Sequence, residues 1–271
     1  MKKNNSILLS TPYIIWMVVF TLIPLGVVAY YALTDPATGV FTLGNLQDLN
    51  MYWGVLWQSI LYSLVSAFIC LLLGYPVAYY IAHRGPVAQK ILYMLVMLPM
   101  CMSFLLRTLA WVGLLQDTGI INNFLDWIGI GRIRMIRTPG AVILGMVYNY
   151  LPYMILPLYS TIVKISPRLI EAAEDLGCNT FQVFRRVTLP LSVPGILSGI
   201  TMVFVPAVST FYISQKLGGT DTVLIGDLIE RLFKQGDNPN QGAALSLVLM
   251  ALVFVCTGIM NRFGGDEEVI V

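Results

Sequence analysis

Six stretches of this chain are long and apolar enough to cross a bilayer: residues 7–33, 55–82, 91–115, 141–163, 189–214 and 243–260. A hydrocarbon layer takes about 20 helical residues per crossing. Inside it every backbone donor and acceptor must be satisfied within the protein, which leaves helices or closed barrels. Runs of this length select helices, so the predicted fold is all-α, a polytopic membrane protein with six transmembrane helices in one domain covering residues 1–271. Composition agrees: 57% of residues are hydrophobic and 11% charged, against about 25% charged in a soluble domain. The first stretch follows Lys2 and Lys3 as a secretory signal would. It is too long and lacks a small-x-small cleavage site, so it is read as a helix.

The remaining residues exclude several kinds of chemistry. With 16 Lys+Arg against 14 Asp+Glu there is no basic field for nucleic acid. Cys70, Cys101, Cys178 and Cys256 form no C-x-x-C pair and read as buried hydrophobes. His83 is the single histidine, so no multi-histidine metal site is expected and no catalytic residue is assigned. No G-x-x-x-x-G-K-[ST] stretch is present to cradle nucleotide phosphates. A process driven by ATP would need another chain to hydrolyse it.

An even number of spans puts both termini on one side, and cytoplasmic loops retain Lys and Arg. Lys2, Lys3, Arg84 and Lys90 favour an inner N-terminus and C-terminus, whereas Arg132, Arg134 and Arg137 count against it. Pro24, Pro76, Pro99, Pro152, Pro157 and Pro206 fall in or near the apolar runs. Each removes a backbone donor and bends its helix, which suits a structure that moves; proline is also simply common in membrane helices. Gly195 and Gly199, spaced as G-x-x-x-G, predict close helix approach.

The longest inner loop, residues 164–188, is the most specific part of the sequence. Ser166-Pro167 is a helix start, Gly177 a left-handed stop, and Asn179-Thr180 the cap of a second short helix over 181–187 that ends before Pro190. On the first helix Leu169, Ala173 and Leu176 recur at helical spacing beside Ala172, with Glu171, Glu174 and Asp175 adjacent. An alanine-flanked stripe fits a partner's groove. The alternative is a helix lying on the membrane surface, but such helices carry Lys and Arg on the polar face, and this one is acidic.

Glu171-Ala172-Ala173, then Gly177, then Val187-Thr188-Leu189-Pro190 resembles the E-A-A…G…I-x-L-P signature of permease subunits of binding-protein-dependent ABC importers, with Val187 where isoleucine is usual. In that family the loop docks on a cytoplasmic ATPase. The resemblance therefore implies ATPase-coupling roles for Glu171, Ala172, Ala173, Leu176 and Gly177. It also implies ATP-binding cassette ATPase subunits carrying the ATP and magnesium, a second homologous permease subunit, an extracytoplasmic binding protein, and a bacterial cytoplasmic membrane location. No cofactor is expected on this chain itself. Leu73-Gly74-Tyr75-Pro76, Leu105-Leu106-Arg107, Leu156-Pro157-Leu158-Tyr159-Ser160, Phe211-Tyr212-Ile213-Ser214, Gly218-Gly219 and Leu224-Ile225-Gly226 are similar to the spermidine/putrescine branch of that family. The substrate implied is a polyamine, and the external partner a polyamine-binding protein. Permeases for anions, thiamine or iron share much of the pattern, and a self-sufficient carrier is the alternative from another class.

A flexible polycation asks for aromatic faces and amide or carbonyl oxygens. Tyr148 and Asn149 in the fourth run, and Tyr212 and Gln215 at the end of the fifth, are the candidate pathway residues, although tyrosines near span ends commonly serve only as an interfacial belt. No acidic residue lies at the centre of a run, so carboxylates are expected from partner chains. Asp221, Asp227 and Glu230, in an amphipathic segment over 221–233, read as solvated loop charges. Arg107 lies inside the third run, where a charge costs about 2.5–3.5 kcal/mol on insertion scales. It is expected to gate or pair, or to be the first ligand if the solute is an anion.

Overall fold

The computed structural model describes residues 11–35, 39–47, 51–220, 222–234 and 238–264. Lys2, Lys3 and Asp221 lie outside the described residues. The described residues are mostly helical, with one isolated antiparallel bridge between Thr34 and Phe41. Five helices are long and apolar enough to cross a membrane: α1 (Thr11–Ala32), α2 (Trp53–Ala82), the stretch Phe104–Trp127, α6 (Pro139–Ile162) and the span Pro239–Met260, which lies in α12 (Pro239–Gly264). A bent pair, α8 (Thr180–Leu191) and α9 (Val193–Val208), makes a sixth if it is counted as one span. Two compact units are distinguished, residues 1–54 with 228–252 and residues 55–227 with 253–271.

In the first unit the end of α1 is held by side-chain amides rather than by a large apolar core. Asn45 Nδ2 donates to the carbonyls of Ala32 (3.1 Å) and Thr34 (2.9 Å), and Asn240 Nδ2 donates to Thr34 O (2.6 Å). Ala32, Ala243 and Ala244 are buried beneath them with Val28 and Leu247 alongside. Along α1 itself none of the apolar window is buried.

The second unit is built around α6. Thr138 caps it, its Oγ1 accepting from Ala141 N (3.2 Å), and Pro139 occupies the first turn, where a missing N–H costs nothing. Its core positions include Met146, Tyr150, Met154 and Leu158, packed with Cys70, Ala78 and Ile81 of α2 and Val203 and Ala207 of α9. The G-x-x-x-G expectation holds here. A Cβ built on Gly195 would stand 2.8 Å from Thr161 Cβ and 2.9 Å from Pro157 O, and one on Gly199 would stand 2.6 Å from Met154 Sδ. Absent side chains let α9 lie directly on the backbone of α6.

The third predicted span, 91–115, is not one helix. It divides into α3 (Pro86–Met97) with a 3₁₀ turn Leu98–Cys101, and α4 (Phe104–Leu115), followed by α5 (Ile120–Trp127). Pro99 removes one donor, and Met102 and Ser103 are extended (ψ 148° and 132°), which stops the first piece and starts the next. The fifth predicted span, 189–214, is also shorter. Its straight part is α9, and Tyr212–Leu217 forms a separate helix, α10.

Pro190 does not end the second loop helix as expected. The helix passes through it to Leu191 and bends by 62° into α9. The turn before the proline, Phe184–Thr188, is a π turn, and Leu189 N–H reaches Phe184 O, five residues back. The wider turn makes room for the ring that would collide with the carbonyl four residues earlier. The same arrangement occurs in α1, where the π turn Val18–Leu22 precedes Pro24.

The α6–α9 contact is testable by a single methyl group. Gly195→Ala is expected to cost about 1–3 kcal/mol through overpacking, lowering the thermal unfolding midpoint in detergent. Gly113→Ala, where an added Cβ meets nothing within 4 Å, is expected to leave it unchanged or slightly raised.

Candidate functional site

The loop 164–188 folds as a helix, a turn and a second helix. α7 (Pro167–Asp175) starts after extended Ser166, although the serine side chain makes no cap hydrogen bond. It closes in a Schellman turn: Gly177 N donates to Glu174 O (2.8 Å), Cys178 N donates to Ala173 O (3.1 Å), and Gly177 has φ +82°. α8 opens in a reciprocal capping box. Gln182 N donates to Asn179 Oδ1 (2.8 Å) and Asn179 N donates to Gln182 Oε1 (2.9 Å). The first turn is thereby fixed by its own backbone and the second by a pair of side chains.

The apolar stripe predicted on α7 is divided. Ala173 is buried, turned toward the loop's own second helix, whereas Leu169 and Leu176 are exposed, Leu176 by 86%. Ala172 and Glu171 are exposed as well. The presented surface is therefore Leu169, Ala172 and Leu176, with Phe181 at 69% exposure across the Gly177 turn.

The loop is held to α2 by aromatic side chains. The Phe184 ring meets Tyr75 edge-on (5.6 Å, 89°) and Tyr79 edge-on (5.9 Å, 83°). Each such pair contributes about 0.5–1.5 kcal/mol beyond the area it buries. Tyr75 Oη and Ser192 Oγ are 2.8 Å apart in a buried hydrogen bond.

The predicted pathway residues lie on two helices, α6 and α10, which pack against each other and against α4. Tyr148 meets Trp111 edge-on at 5.3 Å, and Tyr212 lies 6.3 Å from Phe104. Lys216 Nζ is 5.7 Å from the Tyr212 ring centroid, so a cation of the chain itself already sits on that face. Asn149 is almost fully buried. Its Nδ2 donates to Gly145 O (2.9 Å) while its Oδ1 has no hydrogen-bond partner among the described residues.

Gln215 Nε2 donates to Asp227 Oδ1 at 2.9 Å. Asp227, in the first turn of α11 (Ile225–Lys234), is buried, which corrects its reading as a solvated loop charge. Sequence reasoning also passed over Phe104 and Trp111. Their signal was their spacing of three and four residues on either side of Arg107, which places all three on adjoining turns of one helix.

Arg107 is 7% exposed, and its Nε and Nη1 find no hydrogen-bond partner among the described residues. The Tyr150 hydroxyl donates to Pro206 O (3.3 Å). Among the described residues no group of three or more His, Cys, Asp or Glu side chains is placed to hold a metal ion.

Residues 71–263 match the family of binding-protein-dependent transport system inner membrane components. The chain is similar to the spermidine/putrescine transport system permease protein PotB of Haemophilus influenzae, with 41% identity over 91% of this chain and 92% of that one. Its similarity to the PotB protein of Escherichia coli is 38% identity over 86% and 88% of the two chains. Among solved structures it resembles a chain of a bacterial ABC transporter that imports the acidic polysaccharide alginate (TM-score 0.77, 22% identity, 98% and 97% of the chains covered). It also resembles a chain of the MetNI methionine ABC transporter (TM-score 0.60, 19% identity, 79% and 96% covered). At these identities the structures bear on the fold.

Arg107 yields a stability prediction. A buried charge without a partner among the described residues opposes folding, so Arg107→Met is expected to raise the thermal unfolding midpoint in detergent. A fall in the midpoint would reveal an ionic partner for the guanidinium.

Proposed function

Since the chain belongs to the family of binding-protein-dependent transport system inner membrane components, we propose that its spans carry spermidine or putrescine inward by alternating access, driven by ATP hydrolysed on another chain. The chain is a transport permease of the inner membrane, not an enzyme. The observation that carries the polyamine reading is the likeness to spermidine/putrescine permeases along nearly the whole length of both chains. The aromatic residues on α4, α6 and α10 support it, because rings and amides hold an ammonium group without trapping it. Tyr148, Asn149, Tyr212 and Gln215 are the residues proposed along the path.

Four parts complete the reading. ATP-binding cassette subunits bind the ATP and magnesium and receive Leu169, Ala172 and Leu176 of α7. Glu171, Ala173 and Gly177 shape that surface, Gly177 through its left-handed turn and Ala173 by packing the helix down. A second homologous permease completes the passage, and an extracytoplasmic polyamine-binding protein delivers the solute. Both termini and the loop 164–188 face the cytoplasm, and residues 1–271 act as one permease domain. A second reading, an anionic solute, is favoured by one observation, the buried Nε and Nη1 of Arg107, which have no hydrogen-bond partner among the described residues.

The test is to purify the tagged chain from its native host in mild detergent, identify what accompanies it by mass, and measure ATP hydrolysis with and without spermidine and the binding protein. An ATPase, a second permease and stimulation by spermidine are expected. Stimulation by an anion in its place would select the second reading. For the loop, Gly177→Val forces a β-branched residue into a left-handed turn, and Glu171→Lys reverses a charge on the docking helix. Both variants are expected to insert normally yet lose at least about fivefold in spermidine uptake, the lower end of ordinary coupling between sites. Unchanged uptake in both would remove the docking role of α7.

A further inference from the structure

The loop 164–188 and the second span meet at one compact joint. Phe184 lies edge-on to both Tyr75 and Tyr79, one helical turn apart on α2. Tyr75 reaches past it to Ser192, the residue at which α8 bends into α9. One ring from the loop and one hydroxyl from the span thus fasten α2 to both ends of the segment Phe184–Ser192.

That segment is under local constraint. Its first five residues, Phe184–Thr188, form a π turn, a form that occurs mostly as single turns inserted in helices, often at functional sites. The Thr188 hydroxyl within it is buried with no hydrogen-bond partner among the described residues. On the other side of the joint, Pro76 follows Tyr75 inside α2 and frees a backbone carbonyl. The contact therefore joins the π turn of the loop to the proline-bearing turn of α2, two places where a helix bends at low cost.

We propose that Phe184 and Tyr75 are positioning residues that make α2 follow the loop when the ATPase moves it, so that nucleotide turnover is transmitted to the second span through this joint. The inference rests on the functional reading above and adds the route within the chain. Phe184 and Tyr75 do not form the docking surface, which is carried by α7.

The experiment uses the assembled transporter, comparing wild type with Phe184→Leu, Tyr75→Phe and the double variant. Phe184→Leu keeps apolar bulk and loses the ring edges; Tyr75→Phe loses a single oxygen. Three quantities are read: the ATPase recovered with the permease, basal ATP hydrolysis, and the ratio of spermidine-stimulated to basal hydrolysis. Recovery and basal hydrolysis are expected to stay as in wild type while the ratio falls at least about fivefold in each single variant. The double variant should be no worse than the poorer single one, because both changes cut the same joint. An unchanged ratio in both single variants overturns the proposal, and so does loss of the ATPase from the purified complex, which would assign these residues to assembly. If the wild-type complex itself is indifferent to spermidine, the polyamine reading is what fails.

Discussion

The arrangement of the larger unit depends on how closely two backbones can approach in a medium that gives no hydrophobic reward for helix association. In lipid, apolar side chains gain nothing by leaving the solvent, so packing distance and shape complementarity decide which helices stay together. The glycines of α9 at 195 and 199 answer that requirement by placing the α9 backbone against Pro157, Thr161 and Met154 of α6. Once this pair is formed, α6 packs with α2, α4, α9 and α10, and the aromatic residues of α4, α6 and α10 are brought to one neighbourhood.

Much of this was legible in the sequence because the bilayer reduces the problem to length and polarity. Four of the six apolar runs became helices of spanning length close to their expected places. The other two were misjudged for one reason: an apolar run does not reveal where its backbone stops being helical. Met102 and Ser103 break the third run with one hydroxyl and no charge, and Ser209–Phe211 breaks the fifth with two hydroxyls and no charge. Turns with a stereochemical cause were read correctly. Gly177 had to be left-handed for the loop to reverse, and Asn179 had a capping partner three residues on.

The candidate site was legible in residue type and poorly legible in direction. Helical spacing put Leu169, Ala173 and Leu176 on one stripe, but Ala173 is buried against the loop's second helix, and the exposed face is turned toward Ala172. A sequence gives the angle between side chains and leaves open the angle of the helix to its neighbours. Asp227 illustrates the complementary difficulty. An acid in the first turn of an amphipathic helix reads as solvated, whereas its burial depends on Gln215, a residue on another helix. π turns escape pattern reading altogether. Their cause here is a proline one or two residues downstream, and the proline alone suggests a stop rather than a widening.

The first span presents the reverse of this close fitting. Nothing in its apolar window is buried within the chain, so few of its side chains have a particular shape to match. Evolution can then act on it chiefly through partition free energy. Exchanges among leucine, isoleucine, valine and phenylalanine would be nearly neutral along it, while an added charge or lost length would be felt at once. Its residues should drift freely under a fixed total hydrophobicity, at a pace that α6, gripped on several sides, could not follow.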